Sequence, residues 1–109
     1  MRDEDYRQIG FWSGYGKEND KFPTPRASTY RGWSEGKHQY LIRLAKVEEK
    51  ASTRRFKGSS PCRICGKRNG SATFYYEGWC WPSGFSHYIE EHDIKPSEDF
   101  LLFLAIFGA

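Results

Sequence analysis

The sequence predicts an α+β fold, and three observations carry that prediction. Cys62-Arg-Ile-Cys65-Gly66 is followed by His87-x4-His92, a spacing that can gather two thiolates and two imidazoles around one ion. Between them, Asn69-Gly70 signals a tight turn ahead of Ala72 to Tyr76, whose β-branched and aromatic residues suit a strand. On either side of this region apolar residues recur at helical spacing: Tyr40, Leu41, Leu44, Ala45 and Val47 before it, and Phe100 to Phe107 after it. The architecture expected is a small zinc-pinned ββα finger-like unit with an additional N-terminal helix, a C-terminal apolar helix and an irregular N-terminal arm.

A length of 109 residues suits one domain, here residues 37–109, preceded by an arm over residues 1–36. The arm mixes charges with turn formers (Gly10, Gly14, Gly16, Pro23, Pro25, Gly32, Gly36) and has no useful periodicity. Its rings (Tyr6, Phe11, Trp12, Tyr15, Phe22, Tyr30, Trp33) are too many for a free tail, so parts of it should lie over the core or a partner. A helix is expected over about 37–50, capped by Ser34, with Lys37, Arg43, Lys46 and Lys50 on its polar face. The finger-like unit should span about 53–93. Thr53 to Lys57 reads as its entering strand, forming a hairpin with Ala72 to Tyr76. Trp81-Pro82 should break the second strand, with Pro82 at a first helical position. Phe85, Tyr88 and Ile89 then line one side of a helix ending near Asp93. Ser97 reads as the N-cap of a last helix over about 98–107, with Glu98 and Asp99 at the positive end of its dipole. That helix is apolar nearly all round, so it should be buried in this chain or in a partner.

Composition narrows the function. The core must be small, because hydrophobic residues make up 38% of the chain and Phe, Tyr and Trp alone 17%. At a mean hydropathy of −0.80, a metal or a disulfide is a natural extra cross-link. Three cysteines leave one over after any pairing, and no secretory signal is recognisable, so a reducing cytoplasmic setting and metal binding are the expectation. The longest apolar run, eight residues, is far short of the roughly 20 that span a bilayer, so no membrane helix is expected. Charge is unevenly spread. Residues 21–68 hold thirteen Lys or Arg against three Glu, whereas residues 69–109 hold Lys95 against six acids. Such a block either binds phosphates or is a solvated face.

The glycine behind Cys65 lets the backbone fold tightly enough for both sulfurs to meet one ion. Residues five apart on an ideal helix sit about 140° apart, so the last turn must tighten or unwind for His87 and His92 to share it. Cys80 offers a rival set of Cys62, Cys65, Cys80 and His87; otherwise it is a small buried residue between two tryptophans. From about Arg55 to Phe103, the pattern Gly58, Cys62-x2-Cys65-Gly66, Asn69-Gly70-Ser71, Trp81-Pro82-x-Gly84-x2-His87-Tyr88, His92, Pro96 and Phe100 resembles a family of small uncharacterised bacterial and phage zinc-finger-like proteins. The resemblance implies metal ligation by Cys62, Cys65, His87 and His92, with an apolar role at position 80. It does not extend to residues 1–35.

A closed four-ligand site leaves no position for substrate, so the expected Zn2+ is structural and the chain is not expected to be an enzyme. Pro61-Cys62-x2-Cys65 matches half of a zinc-deaminase signature, but His38-Gln39-Tyr40 lacks the glutamate that moves protons. The leading expectation is a protein–protein adaptor docking through the last helix, at Phe100, Phe103 and Phe107, with self-association included. The alternative is RNA or single-stranded DNA binding by Arg54, Arg55, Lys57, Arg63, Lys67 and Arg68, with Tyr75, Tyr76 or Trp79 stacking on bases.

Overall fold

The computed structural model describes residues 5–11, 36–55, 61–62 and 64–109. In chain order the elements are β1 (Arg7–Gln8), α1 (Lys37–Lys50), β2 (Ser52–Arg55), β3 (Ala72–Tyr76), β4 (Trp79–Pro82), α2 (Phe85–His92) and α3 (Glu98–Phe107). The strands form one mixed sheet in the order β1-β4-β3-β2, antiparallel except for β1 against β4. The expected hairpin of β2 with β3 is present, in a register that sets Arg55 opposite Ala72 and Ser52 opposite Tyr75. A second hairpin follows at once. Glu77 and Gly78 both adopt positive φ, 47° and 84°, the backbone twist that a two-residue connection between antiparallel strands requires.

Ring packing on one face of this sheet forms the core. Phe74 stands opposite Trp81 and Tyr76 opposite Trp79, so these four rings share a face. Phe100 and Phe103 of α3 lie against both tryptophans, at centroid distances of 5.1 to 6.2 Å. Leu44 and Val47 of α1 and Phe85, Tyr88 and Ile89 of α2 complete the cluster. Trp81 Nε1, inside the core, donates to Glu48 Oε2 at 3.0 Å. α3 begins as expected, with the Ser97 hydroxyl accepting from the Phe100 amide at 3.3 Å.

Several boundaries differ from expectation. Pro82 does not open a helix; it ends β4, where a residue without an N–H is tolerated, and α2 starts at Phe85 behind Gly84. The N-cap of α1 is Gly36 in the left-handed region (φ 78°), with no side-chain cap; Ser34 lies outside the described residues. β2 ends at Arg55, and Phe56 and Lys57 also lie outside them. The arm is not wholly irregular. Its residues Arg7 and Gln8 add a parallel strand beside β4, with Arg7 N donating to Gly78 O at 2.8 Å and Ile9 N to Cys80 O at 3.1 Å. Tyr6 meets Tyr75 edge-on at 5.0 Å, and Ile9 packs on the core. The other arm rings, Trp12, Tyr15, Phe22, Tyr30 and Trp33, lie outside the described residues.

Burial pushes the Glu48 carboxyl from its ordinary 4.5 up to about 7, with the bond from Trp81 opposing the shift. Between those pH values the folded protein holds a proton that the unfolded chain has released, so stability falls as pH rises through the window and stays reduced above it. Glu48→Gln keeps an acceptor for Trp81 without the charge. At pH 8 denaturant unfolding should show it more stable than the parent by roughly 1–3 kcal/mol, the gap closing below pH 4.5. An equal or lower stability at pH 8 would refute the buried-charge account.

Candidate metal centre

Between β2 and β3, residues 61–62 and 64–68 make a knuckle held by its own backbone. Cys62 N donates to Lys67 O at 2.8 Å, Gly66 N donates to Cys62 O at 2.9 Å, and Pro61 bridges to Arg68. Gly66 takes φ 77°, a conformation glycine reaches without a Cβ clash. This reversal puts the Cys62 and Cys65 side chains on the same side of the loop. The Ile64 amide points at Cys62 Sγ at 3.4 Å. Burial by itself would raise the Cys62 thiol pKa; the Cys65 and Ile64 amides, with the Cys65 and Tyr88 side chains, outweigh it and hold the thiol below its usual range.

Two close approaches bring the knuckle to α2. A methyl group on Gly84 would overlap the Asn69 carbonyl, and one on Gly70 would overlap the Ser83 hydroxyl. Only bare backbone at these two positions lets the Asn69-Gly70 corner abut the start of α2. Ser83 and Ala72 bond reciprocally across the junction, Ser83 N to Ala72 O at 2.8 Å and Ala72 N to Ser83 Oγ at 3.2 Å.

The far end of α2 unwinds in the way the five-residue histidine spacing demands. His92 is its last residue, Asp93 turns into the left-handed region (φ 53°), and Ile94 N reaches back to Tyr88 O at 3.2 Å, a bond typical of helices that stop on a left-handed residue. Lys37 of α1 fastens this end, donating to Glu90 O at 2.8 Å and Asp93 Oδ1 at 2.6 Å. The His87 and His92 rings thereby come within 5.0 Å of each other.

One ligand atom from each of Cys62, Cys65, His87 and His92 lies within 4.8 Å of the others. Cys65 Sγ and His87 Nε2 are 3.4 Å apart. A tetrahedron with metal–nitrogen bonds of about 2.0 Å and metal–sulfur bonds of about 2.3 Å has edges of about 3.3–3.8 Å, so the four donors need little movement to close on one cation. Nε2 of His92 is buried without a hydrogen-bond partner among the described residues, and the ring packs against His87 and Tyr88. These residues can hold a metal ion.

The rival ligand does not join them. Cys80 lies in β4 between Gln8 and Tyr75 in register, buried, and outside this group of four. The other expected sites divide. Arg54 and Arg55 on β2 and Lys67 and Arg68 on the knuckle are exposed, and Lys57 and Arg63 lie outside the described residues. The rings expected to stack on bases are packed within the protein instead. Trp79 is covered by Phe100 and Phe103, Tyr75 is buried beside Tyr6, and Tyr76 leans on Phe103 and Phe107. Phe100 and Phe103 are likewise buried and Phe107 half-buried, so the apolar residues that α3 shows to solvent are Leu102 and Ile106, each 62% exposed. An all-apolar helix carries no signal of which side faces inward. Lys37 and Tyr88 were also not legible as supports of the site, because neither contact is local in sequence.

No family model, curated protein or solved structure matches the chain in comparison. The family resemblance therefore rests on its motif alone.

Cys80→Ser should leave the metal content of the purified protein unchanged, whereas Cys65→Ser should reduce it at least tenfold. Elemental analysis of the two variants side by side makes the check, and metal loss from the Cys80 variant alone would reverse the ligand assignment.

Proposed function

We propose that Cys62, Cys65, His87 and His92 hold one structural Zn2+, and that the chain is a non-enzymatic, zinc-stabilised binding module acting as a protein–protein adaptor. The observation that carries the metal reading is the mutual approach of two sulfurs and two ring nitrogens to within 4.8 Å. Two thiolates with two imidazoles are the borderline-soft donor set that zinc favours, and four protein donors complete its tetrahedron. A saturated ion has no vacancy to activate water or polarise a carbonyl, so its contribution is to folding. It would tie the knuckle to the end of α2. Structural zinc contributes about 10–16 kcal/mol in finger peptides, as much as the whole stability of a typical domain.

The adaptor reading is supported by α3. Leu102 and Ile106, one turn apart, border an open hollow of about 300 Å³. On the hollow's rim Arg7 sits 4.1 Å over the Trp79 ring and pairs with Asp99 at 2.8 Å. Apolar side chains beside paired charges in one shallow hollow are a mixture that suits protein docking.

Two experiments test the proposal. Native protein should carry about one zinc per chain, its cobalt-substituted form should show the visible absorption of a tetrahedral thiolate site, and a chelator should abolish the cooperative thermal transition. Protein that keeps its transition without metal would contradict the structural role. For the adaptor, any partner recovered from native extract should survive nuclease digestion and be lost from Leu102→Asp/Ile106→Asp. Retention by that variant, or loss on digestion, would sink this half of the reading.

A further inference from the structure

We propose that the end of the sheet where β2 meets the knuckle binds the phosphate backbone of nucleic acid, without preference for base. The surface is separate from the α3 face and stands or falls apart from the adaptor reading.

The chain between residues 51 and 76 contains no Asp or Glu. Its folding concentrates the basic residues. Arg55 pairs with Ala72 at the knuckle end of the sheet, and Arg68, four residues before Ala72, bridges to Pro61. Arg54, Arg55, Lys67 and Arg68 are all exposed there. Among the described residues, the cations in ion pairs are Arg7, Lys37 and Lys95; no acid neutralises any of these four. Like charges gathered without a counter-charge repel one another, a cost that a bound polyanion removes.

The surroundings favour phosphate over an acidic protein. Among the described residues β2 is an edge strand whose four residues, Ser52 to Arg55, are all exposed; side chains alternate along it, so Arg55 and Thr53 lie on one side and Arg54 and Ser52 on the other, each side offering a guanidinium and a hydroxyl. Those are the groups that contact nucleic-acid phosphates. The core of a protein interface is apolar, and the described residues of this edge, Ser52 to Arg55, are all polar or charged. Of the rings expected to stack on bases, Trp79 and Tyr75 are buried and Tyr76 is half-buried against Phe103 and Phe107, and α2 carries exposed Glu90 and Glu91, which would be repelled from a groove. Binding is thus left to charge and backbone contacts.

The test uses the metal-loaded full chain and the fluorescence anisotropy of a labelled 20-base-pair DNA duplex of arbitrary sequence. A single strand of the same length is measured alongside it. Neutralising four phosphates predicts a log–log salt slope of about −3.6 on the duplex, on the order of a hundredfold loss between 50 and 200 mM salt. Arg55→Glu should weaken binding at least tenfold, and Lys67→Glu/Arg68→Glu similarly, with circular dichroism confirming the fold. Lys46→Glu, an exposed residue of α1, makes the same charge change as Arg55→Glu and should cost less than threefold. The proposal is overturned by no binding at 50 mM salt, by equal losses for Lys46→Glu and Arg55→Glu, or by a salt-insensitive complex. Equal affinity for polyglutamate would also overturn it, by assigning the surface to acidic proteins.

Discussion

The meeting of the Cys62-Cys65 knuckle with the two histidines of α2 is the constraint around which the rest of the chain is arranged. Four electron-rich donors do not gather on their own account, because thiolates repel and imidazoles lose water on approach. A shared cation would reverse both penalties. Several features of the backbone make sense as provisions for that meeting: the positive φ at Gly66, the left-handed stop at Asp93, and the bare contact of Gly84 with the Asn69 carbonyl. Lys37 holds the unwound end of α2 from another helix. Each is a local cost that would have no return if the four donors did not converge.

The remainder of the fold solves a different problem, that of building a core from few aliphatic residues. Trp79 and Trp81, framed by Phe74, Tyr76, Phe100 and Phe103, fill the space between sheet and α3 with large rings in edge and tilted contacts. Such packing buries much area per residue. It also buries Tyr75, Trp79, Phe100 and Phe103, rings that the sequence offered as contacts for nucleic acid or protein. Among the described residues, the exposed groups include cations at the β2 end of the sheet, acids on α2, and Leu102 and Ile106 on α3.

Much of this was legible in the sequence wherever the cause is local. Lys37–Lys50 and Glu98–Phe107 coincide with their helical patterns, Ala72–Tyr76 with its run of β-formers, and Ser97 with its cap. The four candidate ligands were legible from spacing, and so was the need for α2 to unwind after His92. β4 was hidden because Trp81-Pro82 read as a strand break; its strand character comes from the partners on both sides, and one of those, β1, belongs to a segment with no periodicity of its own.

The sequence alone determined which atoms can ligate, where the first and last helices run, and how charge is distributed along the chain, since these follow from neighbours a few residues away. Tertiary structure decided that Cys80 stands apart from the ligands, that Phe100 and Phe103 face inward while Leu102 and Ile106 face out, and that Arg54 and Arg55 share one end of the sheet with Arg68. These are outcomes of strand pairing and helix docking between distant segments, where a residue's role depends on what the rest of the chain leaves beside it.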